Sequence, residues 1–513
     1  MHKVDSLRKR YFFKLFSNVV GQGVSVVVQA IAARGLGPRS YGDFNLLTNF
    51  FTQVMSFLDM GSSLAFYTKL SQRVERAQIV IFYKYYALAA SLLAAGIVLI
   101  MHISSVYSCI LPGQGIFYIY CAAIFGILSW ITGILNKMTD AYGMTAASEA
   151  MRVIQKFVAL SLIASLYFLK LLSLNTYFYY QYVTLGILGL LFILIMERSG
   201  YRVLRGWKIP FLKVRSYAKE FYTYCNPLAT AVAFTLAASV LDRWLLQIFG
   251  GSEQQGFFGL SYQIGLFCIL FTSAMTPLFV RELSVAHGNN DKERMRDLFH
   301  KHIPLLYSIT AFIACFFSTQ ADRVVCLIGG NKYGSAVAAV AIMSLYPIHQ
   351  TYGQLSSSLV FATGQTRLYR NMEMISSVLG LALTYLLLAP YRLWGMNAGA
   401  TGLAVKMVVI NFAVVNVFLF LNAKFLSFSF WHFFKHQMLS AGALMLAGLA
   451  ARLAVSGISA ARDVAIVGIL LSGIVYIFIV SVIFSVHPDL FGVSRETLKS
   501  AIARVGDIAK RRG

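Results

Sequence analysis

Residues 13–69 read FKLFSNVVGQGVSVVVQAIAARGLGPRSYGDFNLLTNFFTQVMSFLDMGSSLAFYTK. Two apolar runs, each long enough to cross a hydrocarbon layer of ~30 Å as a helix, flank the turn Gly37-Pro38-Arg39-Ser40-Tyr41-Gly42. Neither run is uniformly apolar. In the first, Asn18, Gln22, Ser25 and Gln29 are spaced four, three and four residues apart and share one helical face. In the second, Asn45, Thr48, Thr52, Ser56, Asp59 and Ser63 do the same. Uncompensated polar groups are costly in hydrocarbon, so these stripes do not face lipid. They face either a neighbouring helix, as hydrogen-bonding seams, or a water-filled cavity. A full stripe on two consecutive helices, with the carboxylate of Asp59 roughly mid-span, favours a cavity lining that includes Gln22, Gln29, Thr52 and Asp59.

The surrounding chain is of the same class. It has 513 residues, 58% hydrophobic and 12% charged, with a mean hydropathy of +0.68. Soluble domains run near 25% charged, so the chain is a polytopic membrane protein and all-α. The net charge of +24 does not point to nucleic acid, because the basic residues recur at every second loop rather than forming one face. The six cysteines (109, 121, 225, 268, 315 and 326) are scattered, mostly in apolar spans, with no zinc spacing and no evident pairing. They read as small buried residues. The basic start runs into a polar-striped span without a cleavage pattern, so no cleavable signal is expected.

Hydropathy predicts about fourteen transmembrane helices, at 13–36, 43–68, 78–102, 116–136, 152–170, 174–196, 219–248, 257–281, 301–319, 334–361, 371–390, 396–421, 437–456 and 464–486. With the N-terminus inside, inner segments hold 34 of the 44 Lys and Arg, outer ends and turns hold nine, and Lys406 alone lies deep in a span. That asymmetry supports the count and places both termini in the cytoplasm. The expected organisation is an N-terminal six-helix lobe (1–196), a basic cytoplasmic connector (197–218), a second six-helix lobe (219–422), two further helices (423–486) and a basic amphipathic tail (487–513) on the inner surface. The connector's charges read as a solvated positive-inside loop, with anionic lipid headgroups as the other reading.

A faint repeat is visible. Gly37, Gly42 and Phe44 recur as Gly251, Gly256 and Phe258, an offset of 214 residues. Polar striping recurs too, as Thr235, Ser239 and Asp242, then Ser261, Gly265, Cys268, Thr272 and Thr276. Repeats six spans apart keep one orientation and relate by an axis along the membrane normal. Pro227 and Pro277 are expected to interrupt their spans.

No HExxH, P-loop, GxSxG or outer-domain carboxylate pair is present, so no catalytic residue, metal or cofactor is expected. An enzyme of polysaccharide assembly would carry a large outer loop, and the longest here is roughly 320–332. His432 and His436 have metal-ligand spacing but no carboxylate beside them. The candidate site residues are therefore the intramembrane charges Arg34, Asp59, Asp242, Arg243 and Lys406. Arg34 lies about one turn from its helix end and is expected to snorkel. Asp242 and Arg243 either neutralise each other or reach partners on different sides. Lys406 is compensated either by a carboxylate or by an anionic substrate.

Ala33-Arg34-Gly35-Leu36-Gly37-Pro38-Arg39-Ser40-Tyr41-Gly42, Leu58-Asp59-Met60-Gly61, Leu241-Asp242-Arg243-Trp244-Leu245-Leu246, Gly256-Phe257-Phe258-Gly259-Leu260 and Gly330-Asn331-Lys332-Tyr333 together resemble polysaccharide (O-antigen type) flippases of the multidrug/oligosaccharidyl-lipid/polysaccharide exporter superfamily. The resemblance covers most of residues 10–420. It departs at Phe258, where that family usually has Tyr. It implies two six-helix lobes around a central cavity with two helices appended. It also implies a substrate, an undecaprenyl-diphosphate-linked oligosaccharide moved between leaflets of the bacterial inner membrane by alternating access. The polysaccharide polymerase and the chain-length regulator are the other implied partners, and anionic membrane lipids are the partner that the basic connector suggests. The alternative within the superfamily is a cation-coupled multidrug antiporter, using Asp59 or Asp242.

Overall fold

The computed structural model describes residues 7–72, 76–201, 203, 210–268, 270–363, 365–458, 464–493 and 495–496. The expected amphipathic tail beyond residue 496 and the middle of the basic connector lie outside the described residues. Among the described residues there are seventeen α-helices, three short 3-10 segments and no strand. Backbone satisfaction within each helix is what allows such a chain to cross a bilayer.

Among the described residues, ten helices are long and apolar enough to cross a membrane. The four expected spans that do not qualify on their own are the ones with polar stripes or breaks. The first two are merged into one helical run, Leu7–Asp59, interrupted by non-helical geometry at Gly37. The second span then breaks at Met60 and Gly61, both with positive φ, and resumes as Ser62–Gln72. The eighth is split between Phe211–Phe267 and Leu270–Gly288. The tenth is split between Val337–Met343 and Tyr346–Ala362. The backbone stays helical through positions 227 and 277, so neither expected proline interruption occurs; Gly251 marks the turn between spans seven and eight, and span eight breaks just after Phe267. Glycine conformation sets the turn at Gly251.

The chain divides into two compact units. The first comprises Met1–Gly259 with Leu381–Gly399. Its core gathers Phe66, Tyr83, Phe192, Tyr217 and Phe221, with the Phe66 and Tyr83 rings stacked at 4.1 Å. The Leu174–Arg198 helix starts on a capping box, in which the Ser173 Oγ accepts from the Thr176 N–H and the Thr176 Oγ1 accepts from the Ser173 N–H.

The second unit comprises Leu260–Gly380 with Ala400–Gly513. Its core collects along Lys292–Thr319, whose buried face includes Phe299, Tyr307, Ala311 and Cys315. The helices Phe430–Ser456 and Ala465–Val486 belong to this core. Tyr307 donates to the Gln437 carbonyl at 3.0 Å, Tyr476 donates to the Phe312 carbonyl at 2.9 Å, and Arg323 donates to Ser472 at 2.7 Å. Such bonds between helices are worth about 0.6 kcal/mol each in lipid, so they specify register more than they hold the bundle. Cys109 and Cys326 are exposed, against the expectation that the cysteines are buried; both lie at helix ends beside loops.

Candidate functional site

The two glycine turns singled out by the repeat meet each other in the first unit. Gly37 (φ 73°, ψ 172°) and Gly251 (φ 71°, ψ −174°) adopt nearly the same conformation, one open essentially to glycine alone. Pro38 follows Gly37 at the start of the next helical arm, where no donor is needed. At Gly42 an added Cβ would lie 1.8 Å from the Ser252 carbonyl oxygen, and at Gly256 it would lie 2.0 Å from that of Pro38. Residues 38 and 252 are themselves one repeat apart. The contact is therefore reciprocal, each turn presenting its glycine to the same backbone atom of the other. Around it Gln114 donates to Asp43 at 2.6 Å, and Gln247 donates to Ser252 at 3.2 Å and to the Pro112 carbonyl at 3.1 Å.

Next to this crossing, Asp242 and Arg243 diverge to different partners. The Thr384 hydroxyl donates to Asp242 at 2.7 Å, and Asp242 is 8% exposed. The Arg243 guanidinium donates to Gln255 at 3.1 Å and lies over the Phe258 ring at 4.4 Å. The phenylalanine that departs from the family pattern therefore supplies the face of a cation–π contact, which does not need a hydroxyl.

Asp59 stands at the break in the second span and acts as its organiser. Its Oδ1 accepts from Ser62 Oγ at 3.0 Å, the Ser63 N–H at 3.1 Å, Trp130 Nε1 at 3.1 Å and the Tyr83 hydroxyl at 3.3 Å. Its Oδ2 accepts from Ser63 Oγ at 2.8 Å. Lys137 donates to the same Ser63 hydroxyl. A carboxylate just ahead of a new helix satisfies its free N–H groups and suits its dipole.

The rest of the polar stripes divide. Thr48 is buried and Asn45 partly so; each bonds the carbonyl four residues back, as do Ser25 and Thr52. Gln22 and Thr52 are exposed, whereas Gln29 is half-buried. Gln53, one step off the stripe, donates to Ser239 of the seventh span at 3.1 Å, a helix-to-helix seam. Arg34 is exposed. Lys406, 7% exposed, lies against Gly380, where an added Cβ would come within 3.0 Å of its Cε. The structure brings Asp242 and Arg243 together with the turn crossing. Asp59 forms a separate cluster in the same unit, and Lys406 belongs to the second unit.

Lys406 is not the sole cation inside a span. Lys84 lies two turns into Arg76–Ile103, Lys137 lies on Ile116–Ala141, and Lys156 lies three turns into Thr145–Phe168, all half-buried. Lys156 packs on Gly21, whose Cβ would fall 2.8 Å from its Nζ. The Lys and Arg asymmetry places all three with the inner segments, because each falls within three turns of a span end. The signal that could have found them is helical phase, since each shares a face with buried residues. His432 lies near His300, at 5.9 Å between tilted rings, and no group of three metal-ligating side chains occurs among the described residues.

No protein-family model and no curated protein matches the sequence. Solved structures do resemble the fold. A lipid II flippase MurJ in an inward closed conformation superposes with a TM-score of 0.63 at 12% identity, covering 93% of this chain and 98% of its own. An inward-facing multidrug resistance MATE family transporter of the MOP superfamily gives 0.62 at 13% identity, covering 79% and 94%. A MOP superfamily transporter from Pyrococcus furiosus, described as having a binding pocket of reverse polarity, gives 0.55 at 14% identity, covering 82% and 95%. This multi-pass membrane chain has the fold of MOP superfamily transporters.

Proposed function

We propose that the protein translocates an undecaprenyl-diphosphate-linked oligosaccharide, an O-antigen, capsule or exopolysaccharide repeat unit, from the inner to the outer leaflet of the bacterial inner membrane by alternating access. The observation that carries this reading is the likeness to a lipid II flippase over 93% of the chain, against 79% for the MATE transporter. The side chains are consistent with it. Exposed Gln22 and Thr52 at membrane depth suit a wet path for sugar. Arg34 and Arg243 in the first unit, and Lys406 in the second, are each a cation of the kind that pairs with a diphosphate. A drug antiporter is the second reading, supported by the MATE neighbours.

Deleting the protein separates the two. A flippase leaves a lipid-linked oligosaccharide accumulating in the inner leaflet, whereas an antiporter leaves glycan intact and raises drug sensitivity. In the complemented strain, Lys406→Ala is expected to lower surface glycan about tenfold at unchanged protein abundance, the scale of one lost hydrogen bond to a charged group. Lys406→Arg should keep most of the export. A fall in abundance, cured by removing an acidic partner as well, would instead mark a structural ion pair. For topology, both termini are placed in the cytoplasm on the Lys and Arg asymmetry. A reporter active only in the periplasm and fused after Gly513 should stay silent, and a signal from it would reverse the assignment.

A further inference from the structure

Within the first unit, the helices Arg76–Ile103, Ile116–Ala141 and Leu174–Arg198 leave a cleft of about 450 Å³, inside the ~300–1,000 Å³ range of ligand sites. Its walls are largely aliphatic, with Leu88, Ile127, Ile131 and Ile193 among them beside the rings of Phe66 and Tyr83, and the one ammonium that lines it is Lys84. Such a cleft at membrane depth offers water too few polar partners to hold it. Left empty, its lining would forfeit dispersion contacts. Hydrocarbon is the filling that satisfies the walls.

The ends of the cleft differ. Around Lys84 and Val203 it is cationic. Lys84 stands eight residues past Arg76, roughly 12 Å along the helix at ~1.5 Å per residue, and its flexible stem can carry the ammonium back towards the helix start. Lys213 is held over that start by donating to Gln78 at 2.6 Å, and Arg198 is exposed at the end of its helix. Glu197 is the carboxylate that acts on the Lys84 charge; neither it nor Lys213 nor Arg198 lines the cleft, so the one charged side chain in the lining is the cation Lys84. At the other end, around Ser91 and Ile127, no ionisable group lines the cleft. One charged end and one aliphatic end match an anionic amphiphile.

We propose that this cleft is a binding site for one anionic phospholipid, its phosphate on Lys84 and an acyl chain along Leu88 and Ile131. The site is independent of the transported substrate. It would tie the first unit to the composition of the membrane around it.

The test is native mass spectrometry of the full chain released from nanodiscs containing phosphatidylglycerol and phosphatidylcholine. The expected result is one phosphatidylglycerol retained in preference to phosphatidylcholine. Lys84→Ala should lower that retention about fivefold, the loss expected for one lysine near an anionic headgroup, and Lys84→Arg should preserve it. Ala87→Phe, which narrows the cleft, should reduce retention of any lipid, with thermal unfolding measured to confirm that each variant is folded. Equal retention of the two phospholipids, or retention unchanged in folded Lys84→Ala, overturns the proposal. Displacement of phosphatidylglycerol by stoichiometric undecaprenyl phosphate also overturns it and assigns the cleft to a polyprenyl chain.

Discussion

Gly256→Ala is expected to abolish glycan export while the protein still reaches the membrane, and Gly42→Ala is expected to do the same. The methyl group at position 256 would lie 2.0 Å from the Pro38 carbonyl oxygen and 2.8 Å from its carbon. These are backbone atoms of a turn held by Gly37, so neither side can swing away as a side-chain end would. The two turns must separate by more than an ångström, and Gln114, which donates to Asp43 on one turn at 2.6 Å and to Ser252 on the other at 3.5 Å, can no longer reach both. Because each substitution disrupts the same contact, the double variant should be no worse than either single one, the non-additivity expected of residues in direct contact. Gly23→Ala is the control: nothing lies within 4 Å of its added Cβ, and alanine in a helix interior is favoured by about 1 kcal/mol over glycine. Surface glycan measured at matched abundance decides the matter. Wild-type export by Gly256→Ala would show that the crossing can open without consequence.

That crossing was half legible in the sequence. The spacing of Gly37 and Gly42 and its echo 214 residues on marked two equivalent turns, because only glycine takes the conformation at 37 and 251 and only glycine leaves room at 42 and 256. That the turns pack against each other could not be read, since it depends on contacts far apart in the chain. Hydropathy identified the strongly apolar spans, but it has no sensitivity to a break such as Met60-Gly61, which needs two residues at positive φ and a cap rather than a change in polarity. The same averaging hid Lys84, Lys137 and Lys156. A window registers them as the edge of a span, whereas their surroundings are set by which helix face they occupy. For Asp242 and Arg243 the sequence left open mutual neutralisation or separate partners. Thr384, Gln255 and the Phe258 ring decide for separate partners.

Asp59→Ala is expected to lower the amount of folded protein and its thermal stability before any question of transport arises. Five donor groups converge on this carboxylate: the Ser62, Ser63 and Tyr83 hydroxyls, the Ser63 N–H and the Trp130 indole. Lys137 is bonded to the Ser63 hydroxyl beside it. Alanine removes the acceptor, takes the bond from the indole N–H and from the Ser63 amide, and strands the Lys137 charge. Leaving donors without a charged acceptor costs about 1.5–3 kcal/mol, and the isolated ammonium adds to that. Asp59→Asn, which keeps an oxygen but no charge, should fall between alanine and wild type. The decisive variant combines Asp59→Ala with Lys137→Met. If the carboxylate serves mainly to balance Lys137 and cap the broken helix, removing the ammonium restores part of the lost stability. Should Asp59→Ala instead reach wild-type abundance and melt normally while glycan export is lost, Asp59 acts on substrate or a coupling ion, and the hydrogen bonds around it serve to aim it.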